Sequence, residues 1–193
     1  MKDVANFRNY LFEVINDNNL NVYVDEILEA FSLYELPKDK TFVEVGEICK
    51  HFCFVESGIL QHSITVKDED KTTYLALKNS CTTSLKSFLK QTPSSKNIKA
   101  LSKCQLKVVK THDFQKLMQS NIAFKQFYYN LIENQIFLID DYRLDLLTLQ
   151  PEDRYKKLLI NEPDLLNEVP LHYLASFLGI SKRHMSRIRK NVK

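Results

Sequence analysis

The clearest candidates for chemistry lie close to the C-terminal end of the sequence. Five cations fall within nine residues: Lys182, Arg183, Arg187, Arg189 and Lys190. Met185 and Ile188 are spaced by three within this run, so on a helix they would share an inward face and leave the cations outside. Such a face can neutralise phosphates and donate hydrogen bonds to guanine in the major groove of DNA.

The residues just before this run favour a helix-turn-helix. Ala175 is small enough for two helices to cross closely, Gly179 can adopt the positive φ of a tight turn, and Ser181 can cap a second helix. Five apolar residues would form the core between the helices: Leu174, Leu178, Ile180, Met185 and Ile188. The predicted DNA contacts are Ser181, Lys182, Arg183, Ser186, Arg187, Arg189 and Lys190. The alternative is a basic helix that is merely solvated.

Charge is unevenly distributed along the chain. Residues 169–193 carry six Lys or Arg and no Asp or Glu, whereas the whole sequence has 27 basic and 24 acidic residues and a net charge of +3. The other residues therefore sum to 21 − 24 = −3. A basic module on a slightly acidic body indicates a polyanionic partner.

Composition favours a globular protein, with 44% hydrophobic and 26% charged residues. No apolar run is long enough for a membrane helix and no secretory signal is apparent, so we expect a cytoplasmic protein. The four cysteines, Cys49, Cys53, Cys81 and Cys104, are expected to be free structural thiols, because their spacing matches no metal site. No metal site is predicted.

Periodicity divides the rest of the chain. Residues 2–32 read as helical and residues 41–110 as short strands broken by turns, with "TSLKSFLKQTPSS" (83–95) inserting a helical turn that Pro93 ends. Many short strands favour a small antiparallel barrel or sandwich. After Pro151, which suits the first turn of a helix, three or four short helices are expected.

A long helix is predicted from Asn121, a good N-cap, to about Leu147. A heptad seam runs along it: Phe124, Tyr128, Leu131, Gln135, Leu138 and Tyr142. Phe127, Ile132, Ile136 and Ile139 form a second apolar side. We predict that the second side packs on the β domain and that the seam binds a twin, giving a homodimer. A helix buried inside a monomer is the alternative.

On these motifs the chain resembles Crp/Fnr transcriptional regulators over residues 42–190. "FVEVGE" and "FVESGIL" resemble turns of that family's β-roll, and "PEDRYKKLL" with "VPLHYLASFLGISKRHMSRIRK" resembles its DNA-binding region. The resemblance implies an α+β fold: a cyclic-nucleotide-binding-like β-roll sensor with N-terminal helices (1–120), a dimerisation helix (121–148) and a C-terminal, winged-helix-like helix-turn-helix domain (149–193). Double-stranded DNA is the implied partner, with RNA polymerase as a further candidate.

The resemblance places the family's base-reading positions on Lys182, Arg183 and Arg187, with Ser181 near the phosphate backbone. Arg187 matches the family's arginine, whereas Arg183 stands where an acidic residue is common, so the family's best-known half-site should not be transferred. Only five residues follow Ile188, so no wing is expected after the recognition helix.

The resemblance also identifies a degenerate effector pocket. Thr83 and Ser84 stand where the family has a Gly-Glu pair that binds ribose, and Ser94 and Ser95 stand where an Arg-Ser pair binds phosphate. Without the arginine a buried phosphate would lack a charge partner, so cyclic AMP is not expected to bind and no cofactor is predicted. Another small ligand and a purely structural role both stay open.

Two other classes of function were weighed. An enzyme would need a catalytic pair such as Cys53 with His62 or His112, but no nucleophile turn or phosphate loop accompanies them. An interaction or RNA-binding protein could use the same basic helix. A DNA-binding regulator explains more of the pattern than either class.

Overall fold

The computed structural model describes residues 2–191, with side chains from Asn6 onward. Val192 and Lys193, the last two residues of the predicted DNA-binding domain, lie outside that range. The first elements are helix α1 (Lys2–Ile15), a 3-10 turn (Asn18–Tyr23) and helix α2 (Val24–Ala30). The sequence prediction of helix up to Ser32 was wrong at its end, because Ser32–Leu36 forms strand β1 paired with β8.

Eight antiparallel strands form two facing four-stranded sheets. The other strands are β2 (Thr41–Val43), β3 (His51–Ser57), β4 (Leu60–Val66), β5 (Glu69–Ala76), β6 (Ser80–Thr82), β7 (Asn97–Ala100) and β8 (Cys104–Lys110). The strand orders are β1-β8-β3-β6 and β2-β7-β4-β5. Of the predicted small antiparallel barrel or sandwich, the structure has the sandwich, with β1, β6 and β7 as strands that the sequence analysis did not predict.

Glycine allows the tight turn between β3 and β4. Gly58 has φ +91, and a Cβ there would lie 2.6 Å from both the Cys104 thiol and the Lys103 carbonyl oxygen. Any side chain would therefore clash as well as strain the backbone. The Ser-Gly pair noted in the sequence thus marks a real constraint on the roll.

Helices connect and follow the strands. They are α3 (Leu85–Lys90) within the roll, then α4 (Thr111–Ser120), α5 (Ile122–Thr148), α6 (Pro151–Asn161), α7 (Pro163–Glu168), α8 (Leu171–Phe177) and α9 (Lys182–Asn191). The predicted cap of the long helix is confirmed, since the Asn121 side-chain oxygen accepts the Phe124 N–H at 2.8 Å. Pro151 lies in the first turn of α6, as expected. No strand follows α5 within residues 2–191.

Two hydrophobic cores hold these elements together. The larger lies between the sheets and extends to α1, α2, α4 and the first half of α5, where Phe7, Phe54 and Phe124 are fully buried. The smaller joins α6–α9 to the β-roll through Ile59 and Leu75. The C-terminal helices thus share a core with the roll. All four cysteines are free and buried.

Candidate nucleic-acid interface and ligand cavity

The turn between α8 and α9 is a Schellman motif. The Ile180 N–H donates to the Ala175 carbonyl at 2.9 Å and the Gly179 N–H donates to the Ser176 carbonyl at 3.2 Å. Gly179 has φ +69, the left-handed conformation that this motif requires. The role predicted for glycine in the turn is confirmed.

Helix α9 begins with the predicted serine cap. The Ser181 hydroxyl oxygen accepts the His184 N–H at 3.2 Å, and the Ser181 carbonyl accepts the Met185 N–H at 3.0 Å. Met185 and Ile188 are almost completely buried, as is Ala175 on α8. The close contact expected between the two helices therefore forms.

The predicted DNA-contacting side chains lie together on the outer face of α9. Lys182, Arg183, Arg187, Arg189 and Lys190 are exposed together with Ser181, and Ser186 is half-buried. None of the five cations has an ion-pair partner within the part of the chain that the structure describes. Their charge is thus available to a polyanion.

Helix α6 contacts the C-terminal end of helix α8 and helix α9 through Arg154 and Glu152, two contacts that the sequence analysis did not predict. Arg154 donates to the Leu178 carbonyl at 3.0 Å and to the Leu149 carbonyl at 3.3 Å. His184 lies 3.0 Å from Glu152, and this hydrogen bond is the main cause that lowers the pKa of the Glu152 carboxyl. The acidic first turn of α6 after Pro151 was the sequence signal that could have indicated a contact of Glu152 with a cation or a histidine. Its partner His184 is about thirty residues away in the sequence, so only folding brings the two together.

The helix seam predicted to bind a twin turns out to face its own chain. Phe124 and Leu131 are buried in the monomer, Gln135, Leu138 and Tyr142 line an internal cavity, and Tyr128 is half-buried against Phe114. The Tyr142 hydroxyl donates to Glu162 and its ring packs edge-on against Phe177 at 5.4 Å. Phe124 and Leu131 of the predicted seam are therefore covered within the chain itself. Phe127 of the second apolar side is fully buried, as predicted for that side.

The opposite side of α5 is apolar and exposed. Tyr129, Ile136 and Leu147, at spacings of seven and eleven, are 63%, 58% and 75% exposed. Ile139 and Phe137, beside this stripe, are also more than half exposed. Ile136 and Ile139 belong to the side that the sequence reading had assigned to the β domain.

A cavity of about 830 Å³ lies where the β-roll, α5 and the C-terminal helices meet. Its apolar wall includes Leu131, Ile132 and Leu138 of α5, and its polar end includes His62 and Lys96 of the roll. The volume suits a drug-sized molecule. Burial is the main cause that lowers the pKa of His62 to about 3, and the Lys96 charge adds to this effect.

The four residues of the predicted effector pocket are only partly brought together. Ser84 and Ser94 are buried with their hydroxyl oxygens 2.8 Å apart, and Ser94 also donates to the Lys96 carbonyl. Thr83 lines the cavity and donates to the His51 carbonyl at 2.8 Å, whereas Ser95 is exposed. Neither serine of the buried pair lines the cavity.

Comparison with known proteins finds a family model that matches part of the chain. Residues 33–121 match the family model of the cyclic nucleotide-binding domain. No curated protein sequence matches the chain. No helix among the described residues has the length and apolarity needed to cross a membrane.

Solved structures of similar fold include transcriptional regulators. FixK2 from Bradyrhizobium japonicum aligns with a TM-score of 0.71 at 13% identity, over 84% of this chain and 84% of its own. The catabolite activator protein of Thermus thermophilus aligns with a TM-score of 0.58 at 20% identity, over 95% of this chain and 86% of its own. A protein assigned to the crp/fnr family from Eubacterium rectale gives 0.65 at 13% identity, over 88% and 82%.

The chain is therefore similar to cyclic nucleotide-binding domains over residues 33–121. Its fold over nearly the whole length is that of the Crp/Fnr transcriptional regulators, as the sequence motifs predicted.

Proposed function

We propose that the protein is a sequence-specific DNA-binding transcriptional regulator that acts as a homodimer. The observation that carries the proposal is the face of α9, where five unpaired cations project from a helix anchored by Met185 and Ile188. In this proposal α8 and α9 are a helix-turn-helix, and α9 enters the major groove. The regulators of similar fold support the same role.

The homodimer is proposed on the exposed stripe of α5 rather than on the heptad seam. Helix α5 has 27 residues and is thus about 40 Å long, and apolar residues recur along its exposed side. Contiguous apolar surface of this kind marks interaction sites. A two-fold dimer would present two copies of α9 to two half-sites.

The test is selection of bound duplexes from a genomic DNA pool, followed by titration of the selected site. We expect a two-fold symmetric site and an affinity that falls steeply with salt, because cations release counterions from DNA. Equal or tighter binding to single-stranded RNA of the same sequence would contradict the proposal in favour of an RNA-binding protein. Failure to enrich any sequence would contradict sequence-specific recognition.

We further propose that the roll does not respond to cyclic AMP. The positions that correspond to the family's ribose and phosphate contacts carry short, neutral hydroxyl side chains. The hydroxyls of Ser84 and Ser94 already form a hydrogen bond with each other. Calorimetric titration with cyclic AMP and cyclic GMP is the measurement, and saturable binding at micromolar concentration would contradict this part of the proposal.

A further inference from the structure

Two polar groups at the roll end of the cavity lack partners. His62 is 3% exposed, and its Nδ1 is buried with no hydrogen-bond partner within the described residues. Its other ring nitrogen, Nε2, lies 2.7 Å from the Thr82 hydroxyl. If that hydroxyl donates to Nε2, Nδ1 carries the proton and is a donor without an acceptor.

Lys96 stands beside this histidine and is also unpaired. Among residues 6–191, whose side chains the structure describes, no carboxylate lies within ion-pair distance of its ammonium group. Burial lowers the pKa of Lys96, and no acidic group opposes the effect. Because the half-buried Lys96 ammonium and a His62 Nδ1–H donor would both gain from a hydrogen-bond acceptor, this end of the cavity is suited to an anionic group.

Among the residues that the structure describes, three acidic groups line the rest of the cavity, and two of them already have partners, whereas the third, Asp141, is exposed. Asp145 forms an ion pair with Lys157 at 2.8 Å, and Glu162 accepts the Tyr142 hydroxyl. On α6 the Arg154 guanidinium donates to backbone carbonyls, although its Nε has no partner. Lys96 therefore leaves one uncompensated positive charge at the roll end, since His62 is neutral at physiological pH.

The part of the wall that Leu131, Ile132 and Leu138 of α5 form is apolar, so the portion of a ligand that packs there should be apolar too. One uncompensated charge matches a monoanion, and both a carboxylate and a cyclic phosphodiester carry a single negative charge. A nucleotide would also need partners for its ribose and its base edges, and the apolar wall offers few. We propose that the cavity binds an amphipathic monocarboxylate, with its carboxylate at Lys96 and His62 and its apolar body against Leu131, Ile132 and Leu138.

The test is isothermal titration calorimetry of the full chain with octanoate, 1-octanol and cyclic AMP as probes. Octanol shares the apolar chain of octanoate but lacks its charge. We expect octanoate to bind at one saturable site at least tenfold more tightly than octanol. Equal affinities, no saturable binding of octanoate, or tighter binding of cyclic AMP would each overturn the proposal.

Two matched variants test the contact itself. Lys96→Met should weaken octanoate binding at least tenfold and leave octanol binding within about threefold, whereas Lys86→Met, at an exposed lysine of α3 outside the cavity, should change neither. Unchanged octanoate affinity in Lys96→Met would overturn the proposal. If that variant does not fold, Lys96→Arg retains the charge and should keep octanoate affinity within about threefold. No DNA is needed, so failure here leaves the proposed regulator intact.

Discussion

At the scale of single residues, Arg187 is the most informative side chain of the proposed DNA interface. It is exposed on α9, one residue before buried Ile188, so its direction is set by the core rather than by solvent. An arginine in that position can donate two parallel hydrogen bonds to guanine. Arg187 should therefore contribute to the discrimination between DNA sequences as well as to the electrostatic attraction to DNA.

We expect Arg187→Ala to weaken binding to the selected site by about 1–3 kcal/mol and to relax preference at one base pair. Fluorescence anisotropy on the selected site and on variants at each position is the measurement. Lys116→Ala, at an exposed lysine of α4, is the control and should bind as the parent does. Parental affinity and specificity in Arg187→Ala would show that α9 docks differently.

His62 gives a second prediction, in the pH dependence of stability. Its pKa is about 3 in the folded protein against an ordinary 6.5, so between these values the unfolded chain binds more protons. The free energy of unfolding should fall as pH drops through 6.5, by about 2 kcal/mol from pH 7 to pH 5 for this residue alone. Burial lowers the pKa of His51 and of His172 too, and these add in the same direction.

Urea unfolding at several pH values measures this effect. His62→Gln should flatten the fall between pH 7 and pH 5, whereas His112→Gln, at an exposed histidine, should leave it unchanged. The slope is the readout, so a general loss of stability in His62→Gln does not disturb the comparison. An unaltered slope in that variant would mean that the buried imidazole is not the source.

At the scale of elements, helix α5 has one side that contacts its own chain and an opposite side that is exposed and proposed to contact a partner. Leu131, first assigned to a dimer seam, is buried in the monomer, so a charge there should disrupt the fold itself. Ile136 lies on the opposite, exposed side. Dimerisation should therefore depend on Ile136 and its neighbours.

We expect Ile136→Glu to give a folded monomer, because two carboxylates facing each other across a two-fold axis repel and lose solvation. Analytical ultracentrifugation at micromolar concentration measures the state of assembly. Ile160→Glu, at an isoleucine of α6 that is 79% exposed, is the matched control and should stay dimeric. A monomeric parent protein, or a dimeric Ile136→Glu, would refute the interface.

At the scale of the whole molecule, the C-terminal helices are docked on the roll. The Ser176 hydroxyl oxygen accepts the Thr72 N–H of β5 at 2.8 Å, and Leu75 of the same strand is buried in the core of α6–α9. A shared core couples the stability of its parts. The roll and the C-terminal helices should thus unfold together.

Leu75→Ala is expected to cost about 2–5 kcal/mol, as for other buried leucines, and to loosen α8 and α9 as well as β5. Hydrogen exchange followed by mass spectrometry resolves the segments, with Leu33→Ala at an exposed leucine of β1 as control. Faster exchange confined to β5 would mean that the C-terminal helices are held independently of the roll.

Local patterns in the sequence were enough for several features of this protein. The apolar spacing of Met185 and Ile188, the Gly179 turn and the Ser181 cap predicted α8, α9 and the outward cations, because helix faces and caps are set by residues three or four apart. Local sequence patterns also predicted where α5 begins and ends, and they predicted antiparallel strands. Residues that are close together in the sequence are sufficient to determine these helices, turns and caps.

Tertiary structure decided what depends on distant residues. Both sides of α5 are apolar in sequence, and only the position of the roll and of Phe177 determines which one is covered. The contacts of Arg154 and His184, and the meeting of His62 with Lys96 at one end of a cavity, join residues that no local spacing relates. Which of two equally hydrophobic faces is buried depends on the elements that lie beside each face. Those neighbours are set only when the chain has folded.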